Sequence, residues 1–341
     1  MRTARIVPAL LLPFALLIAA CGGTSSADSS AAGSGTDGKG SVTLNVGDQK
    51  GGSEAVLRAA GELDNLTYRI KWSTFTSGPP LLEAVNAKAV DIGGVGNTPP
   101  VFAAGSKSKI TVVGAQHGSS DGEAIVVPKG SKLTKAADLK GRTVAVAQGS
   151  SAHFQLVASL QAAGLSISDV KVSYLQPADA LAAFSAGKVD AWAIWDPYTS
   201  QVTQTLKARK LTTGSGVVNG LSFQVASPSA LADKAKSAAI ADYLKRLSRA
   251  QNWVYKHPEA WAKVWAKETG LPYEVALASV KQSNGTRVPV AVDDAAIASE
   301  QKIADTFEKL KLIPGHVDFK SYADKRFDGG LPPSTTTPRK Y

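Results

Sequence analysis

From residue 42 onward, short runs of strand character keep giving way to segments with helical spacing. This alternation restricts the chain to a parallel or mixed sheet covered by helices. Residues 42–46 alternate as a strand does, 54–61 reads as a helix closed by glycine, 68–75 alternates again, and 80–89 carries Leu81, Leu82 and Val85 at helical spacing. Buried strands are expected at 90–95 and 110–115, around a helix at 99–104. A second unit opens at 124–127, followed by a short helix closing at Asp138-Leu139-Lys140-Gly141. Strands at 143–147, 170–174 and 191–194 then alternate with helices at 150–163 and 179–186. Residues 221–226 are expected to return the chain to the first unit, where a long amphipathic helix with Ile240, Tyr243, Leu244, Leu247 and Val254 packs on the surface. The expectation is an α/β protein of two α/β lobes joined by two crossovers, near Glu123 and near Ser222. Lobe 1 comprises 42–123 and 223–328, lobe 2 comprises 124–222, and a ligand cleft lies between them.

The N-terminus reads as an export signal. Arg2 and Arg5 precede a nearly unbroken apolar run, 6–20, that stops at Cys21. The run is shorter than the ~20 residues of a permanent transmembrane helix, so 1–20 is expected to be a processed signal peptide. Leu17-Ile18-Ala19-Ala20-Cys21 resembles the bacterial lipobox, in which the cysteine thiol is acylated. Cys21 is therefore the expected lipid attachment, holding the protein to the membrane by two acyl chains. The chain has 1 cysteine, which excludes internal disulfides. Residues 21–41, rich in Gly, Ser and Ala, read as a flexible tether, and 329–341 as a disordered tail.

Composition narrows the partners. Hydrophobic residues make up 44% and charged residues 19%, as in a soluble globular protein. The formal charge of +10 suits anionic partners. Nucleic acid is not among them, because the lysines are scattered rather than clustered with aromatics and the chain carries an export signal. His117, His257 and His316 lack metal-ligand spacing, so no metal or other cofactor is expected.

Three turns follow an expected strand and open an expected helix: Ser77-Gly78-Pro79-Pro80, Gly96-Asn97-Thr98-Pro99-Pro100, and Gln148-Gly149-Ser150-Ser151-Ala152-His153. Glycine lets backbone approach a ligand closely, and proline fits a first helical turn. Unpaired N–H groups and the positive end of the helix dipole make each turn a potential oxyanion site. Any one turn reads first as ordinary helix capping; all three together shift the balance towards a site. Ser150, Ser151 and His153 do not form a nucleophilic centre, because residues one and two apart on a helix do not face each other and the turn holds no acid. Their hydroxyls suit a cap and donors to an oxyanion, and no enzyme activity is expected. Trp195 offers a face for an apolar tail and Asp196 an acceptor or a partner for an amine; a core tryptophan and a turn aspartate remain the alternatives. Gln49 offers a carboxamide at the end of the first strand.

Asp48-Gln49-Lys50, Gly78-Pro79-Pro80-Leu81-Leu82-Glu83-Ala84, Gly96-Asn97-Thr98-Pro99-Pro100, Gly149-Ser150-Ser151-Ala152-His153 and Trp195-Asp196-Pro197 together resemble the aliphatic sulfonate-binding proteins of the nitrate, sulfonate and taurine group. Asp138-Leu139-Lys140-Gly141 and Val189-Asp190-Ala191-Trp192 extend the resemblance over most of the body. It implies a two-lobed, type II periplasmic-binding-protein-like fold that closes on a small organic anion, docks on an ABC transporter permease and works as a monomer. It also implies that sulfonate oxygens are held by loop amides and hydroxyls at Gly78, Thr98, Ser150 and Ser151. Family members often carry aspartate where this chain has Asn97 and tyrosine where it has Asp48. Nitrate, taurine or a thiamine-precursor pyrimidine are alternative ligands on the same fold, and taurine would need an acid such as Asp196 near its amine. A small-acid enzyme on the same scaffold is a more distant alternative.

Overall fold

The computed structural model describes residues 42–282 and 287–335. The expected signal peptide, Cys21, the tether and the last six residues of the expected tail lie outside the described residues.

The alternation seen in the sequence becomes two mixed sheets. β1 (Thr43–Gln49), α1 (Ser53–Ala59), β2 (Arg69–Phe75), α2 (Gly78–Asn86), β3 (Ile92–Gly96), α3 (Thr98–Gly105) and β4 (Thr111–His117) come first. The chain then passes to a second sheet through β5 (Ala124–Val127), a 3-10 turn at Ala136–Leu139, β6 (Thr143–Val146), α4 (Ser151–Ala162) and β7 (Lys171–Tyr174). That sheet continues with α5 (Pro177–Ser185), β8 (Ala191–Ile194), α6 (Tyr198–Thr205) and β9 (Arg209–Thr213). β10 (Leu221–Ala226) returns to the first sheet. It is followed by α7 (Pro228–Ala232), α8 (Lys234–Lys256), α9 (Pro258–Thr269), α10 (Tyr273–Gln282), β11 (Val288–Val290) and α11 (Asp294–Lys309).

The first sheet has the order β11-β4-β10-β3-β1-β2 and the second β7-β6-β8-β5-β9. β1 runs parallel to both β2 and β3, whereas β10 runs antiparallel to its neighbours β3 and β4. A strand that comes back from the second sheet is thus inserted at the middle of the first, which ties the two together. Every residue of β5, β8 and β10 is buried, as expected of short apolar strands covered on both faces.

Packing follows from small residues as much as from large ones. A Cβ on Gly93 would lie 2.6 Å from Leu81 Cδ2 and 2.8 Å from the Gly47 carbonyl, so glycine there lets α2 seat tightly on the sheet. α8 buries Ala239, Ile240, Tyr243, Leu247, Ala250 and Val254 along one stripe against β1 and α1. Burying a side chain the size of Leu247 stabilises the fold by about 1.5–3 kcal/mol. β3 starts at Ile92, two residues later than its apolar pattern suggests. Asp91 is turned aside, where its carboxylate accepts from the Asn45 amide at 2.8 Å and from Lys236 Nζ at 2.8 and 3.0 Å.

Candidate functional site

A cleft of about 430 Å³ is lined by residues of both sheets and of the helices that start beside them. Of the residues singled out from the sequence, Gln49, Gly78, Ser150, Ser151, Trp195 and Asp196 line it. The helix starts of α2, on the first sheet, and α4, on the second, therefore share one crevice. The end of β3 also comes close to the start of α4: a Cβ on Gly96 would lie 3.0 Å from the Ser151 Cβ.

Ser77, Pro79, Asn97, Thr98, Gly149 and His153 are placed behind this wall. Ser77 is fully buried and its hydroxyl donates to the Gln176 Oε1 at 2.9 Å. Pro79 occupies the first turn of α2. The Thr98 hydroxyl donates to Asn97 Oδ1 at 2.9 Å, and Asn97 Nδ2 donates to Asn219 Oδ1 at 2.9 Å. Asn219 in turn donates to Glu300 Oε1 at 2.7 Å, so the start of α3 is bound into a network reaching the second crossover and α11. The Gly149 amide donates to His153 Nδ1 at 3.2 Å. His153 is fully buried with ring centroids of Phe102 and Phe307 at 5.7 and 5.1 Å, and burial lowers its pKa to about 4. A neutral, enclosed imidazole packed among aromatics is a wedge between the lobes.

The number of amides each helix start can give is limited by its own sequence. Pro79 and Pro80 hold the second and third positions of α2, and Pro99 and Pro100 the same positions of α3. Proline carries no N–H, so each start keeps one first-turn donor, Gly78 or Thr98. α4 has no proline, and Ser151 and Ala152 both retain theirs. At the first loop the protein's own carboxylate takes the amides: Asp48 accepts from Gln49 N, Ser53 N and Glu54 N at 2.8–2.9 Å. Burial pushes the Asp48 pKa up to about 6 despite those hydrogen bonds.

Two charged groups without a local sequence signature also line the cleft. Glu123 lies in the first crossover and Arg287 just before β11. Arg287 donates to the Ser222 hydroxyl at 2.8 Å. Burial raises the Glu123 pKa, while the Arg287 charge and a hydrogen bond with the Ser151 hydroxyl pull it back. Arg287 meets the same desolvation, which lowers its pKa, countered by the Glu123 charge. Asp196 is 2% exposed, and its Oδ1 accepts from the Ser200 amide at 2.8 Å within the first turn of α6. Burial pushes its pKa up to about 6. The cleft thus offers the start of α4 with the Ser151 hydroxyl, one α2 amide and a guanidinium to an oxyanion, with Glu123 as the internal counter-charge.

Residues 39–267 match the NMT1-like family. A protein of Escherichia coli (strain K12) named as an aliphatic sulfonates-binding protein is 36% identical over 281 residues, which cover 81% of this chain and 87% of that protein. Among solved structures, the alkanesulfonate-binding protein SsuA from Xanthomonas axonopodis pv. citri bound to MOPS is 33% identical. Its TM-score is 0.78, and the match covers 84% of this chain and 99% of that one. The periplasmic aliphatic sulphonate binding protein SsuA from Escherichia coli gives a TM-score of 0.72 at 32% identity, covering 82% of this chain and 91% of that one. The chain belongs to the NMT1-like family of two-lobed α/β solute-binding proteins that includes these aliphatic sulfonate-binding relatives.

Proposed function

We propose that this protein is the exported solute-binding component of an ABC importer and that it captures a small sulfonate. The observation that carries the reading is the meeting of the α2 and α4 starts in one cleft beside Arg287. Amide N–H groups, a serine hydroxyl and a guanidinium together suit a tetrahedral oxyanion better than they suit a neutral solute. The relatives whose names specify sulfonates support the same ligand class.

In this reading lobe 1 (42–123 and 223–328) and lobe 2 (124–222) close on the solute about the two crossovers. The closed form gains only as much as the solute binds it better than the open form. A permease then receives the closed, monomeric protein. Cys21 carries the lipid anchor, with 21–41 as the tether, at the outer face of the cytoplasmic membrane.

Thermal-shift titration of the purified protein with ethanesulfonate, taurine and nitrate tests the ligand class. A solute at a hundred times its Kd stabilises by about 2.7 kcal/mol, so hits are graded by affinity. Stabilisation by ethanesulfonate above the other two supports the reading, and no response to any sulfonate sinks it. Incorporation of labelled fatty acid, lost in Cys21→Ser, tests the anchor separately.

A further inference from the structure

After β10 the chain does not stay wholly with the first sheet. α9 and α10 pack together through Trp261, Trp265, Ala276 and Val280, and Ala55 of α1 and Val254 of α8 root this cluster on the helices of the first sheet. α10 also packs against α6, a helix of the second sheet. The two sheets are therefore joined by the crossovers near Glu123 and Ser222 and touch again where α10 meets α6.

The polar part of this contact centres on two side chains. Gln282, the last residue of α10, uses both ends of its carboxamide: Oε1 accepts from Lys210 Nζ, and Nε2 donates to the Ser200 hydroxyl at 3.4 Å. Lys210 Nζ also donates to the Asp121 carbonyl, in the first crossover, at 3.0 Å. Burial lowers the Lys210 pKa, and the Asp196 and Asp121 charges pull it back. Ser279, on the buried stripe of α10, lies near the Asp196 carboxylate. α10, the first crossover and the second sheet thus meet at one ammonium. Among the described residues, none of 273–282 lines the cleft, whereas Thr269 and Leu271, just before α10, do.

We infer that α10 is a latch: carried on the helices of lobe 1, it grips α6 and β9 of lobe 2 through Gln282 and Lys210, and it must let go before the cleft opens and releases its solute. The inference rests on the closure reading above and adds to it a contact that acts without touching the solute. Lys210 keeps acceptors on its own side, the Asp121 carbonyl and the nearby Asp196 carboxylate, so parting from Gln282 strands no buried charge and the contact can break reversibly. A helix that touches the opposite lobe and not the solute senses solute only through closure.

Hydrogen exchange read by mass spectrometry on the full chain tests the latch. Saturating ethanesulfonate is expected to slow exchange of the α10 amides at least about threefold, although they lie off the cleft. Lys210→Met and Gln282→Leu are each expected to cancel most of that protection and to raise the ethanesulfonate dissociation rate about three- to tenfold. The double variant should be no worse than the stronger single one, since both remove one contact. Lys281→Ala, an exposed neighbour on the same helix, should leave both readouts within about twofold, and melting curves check that each variant folds. α10 exchange unmoved by bound ethanesulfonate, or wild-type dissociation rates in both variants, overturns the latch and leaves the sulfonate reading standing. If ethanesulfonate does not bind at all, the sulfonate reading falls and the ligand-free proteins decide the latch: α10 amides that exchange no faster in the double variant than in the wild type overturn it.

Discussion

The Ser77 hydroxyl donates to the Gln176 carboxamide oxygen at 2.9 Å, joining the residue before α2 on the first sheet to the residue before α5 on the second. Thr76 Oγ1 donates to the same oxygen at 3.1 Å. One carboxamide thus holds two hydroxyls of the opposite lobe beside Pro177 and Ala178, which line the cleft.

Removing that carboxamide loosens the closed form without touching the oxyanion donors. Each partly exposed hydrogen bond contributes about 0.5–1.5 kcal/mol, so Gln176→Ala is expected to weaken ethanesulfonate binding by about two- to tenfold. The loss should fall on the dissociation rate, because association precedes the contact. Stopped-flow fluorescence, with Trp195 in the cleft wall, reads both rates. An unchanged dissociation rate would show that the contact does not hold the lobes together.

Ser150 and Ser151 look alike in the sequence and differ in the fold. The Ser150 hydroxyl donates to the Ala147 carbonyl at 2.7 Å, whereas Ser151 faces the cleft near Glu123. Loss of a hydrogen bond to a charged headgroup costs about 1.5–3 kcal/mol, so Ser151→Ala should bind ethanesulfonate ten- to a hundredfold more weakly. Ser150→Ala should stay within about threefold, its main effect being on the α4 start. Wild-type affinity in Ser151→Ala, measured by titration calorimetry, would remove that hydroxyl from the site.

Local pattern carried the fold as far as β8, and again at β10 and α8, because those elements announce themselves. Leu81, Leu82 and Val85 mark the buried face of α2, and Gly149, at φ +70, marks the turn into α4. Elsewhere the signals were weaker or of another kind. α9 has Pro258 in its first turn, a buried stripe of Trp261, Ala262, Trp265 and Thr269, and a left-handed Gly270 after its end, so it was readable and was passed over. β9 is partly exposed throughout and shows no alternation. β11 contains Pro289, which argues against a strand anywhere but a sheet edge, and an edge is where it lies. Arg287 has no local signature at all; its place beside Ser222, 65 residues away in sequence, is a product of the fold.

Buried carboxyls set the acid response. Asp196 is held near pKa 6 by burial, above the ordinary aspartate value of 3.8. A raised carboxyl pKa means that the folded state holds the proton more tightly than the unfolded chain, so this group's penalty on folding fades as pH falls from above 6 towards 4. Asp196→Asn lacks the penalty and keeps an acceptor for the Ser200 amide. The wild type is therefore expected to gain about 1–3 kcal/mol relative to the variant between pH 7.5 and pH 4.5. Urea unfolding of both proteins at the two pH values measures the difference, and parallel curves would place Asp196 in a better-solvated setting than this fold gives it.

Glu123 and Arg287 act on each other in the wall of the cleft. Arg287 and the exposed Lys50 are the cations among the lining residues, and Glu123 competes with an incoming anion both for Arg287 and for the Ser151 hydroxyl. Arg287→Gln is accordingly expected to weaken ethanesulfonate binding about tenfold or more, since the anion then meets an uncompensated carboxylate. Glu123→Gln is expected to strengthen it several-fold. The pH dependence follows from the same pair. Burial raises the Glu123 pKa, so acidification neutralises this competitor earlier than it would an exposed glutamate, and wild-type affinity should rise as pH falls from 8 towards 5. Glu123→Gln should show a weaker rise over that range, the part contributed by Asp48 and Asp196, which line the same cleft with pKa values near 6. Calorimetric titrations at both ends of the range compare the two proteins; a wild-type affinity that falls on acidification would mean that Glu123 assists the anion through Arg287 instead of competing with it.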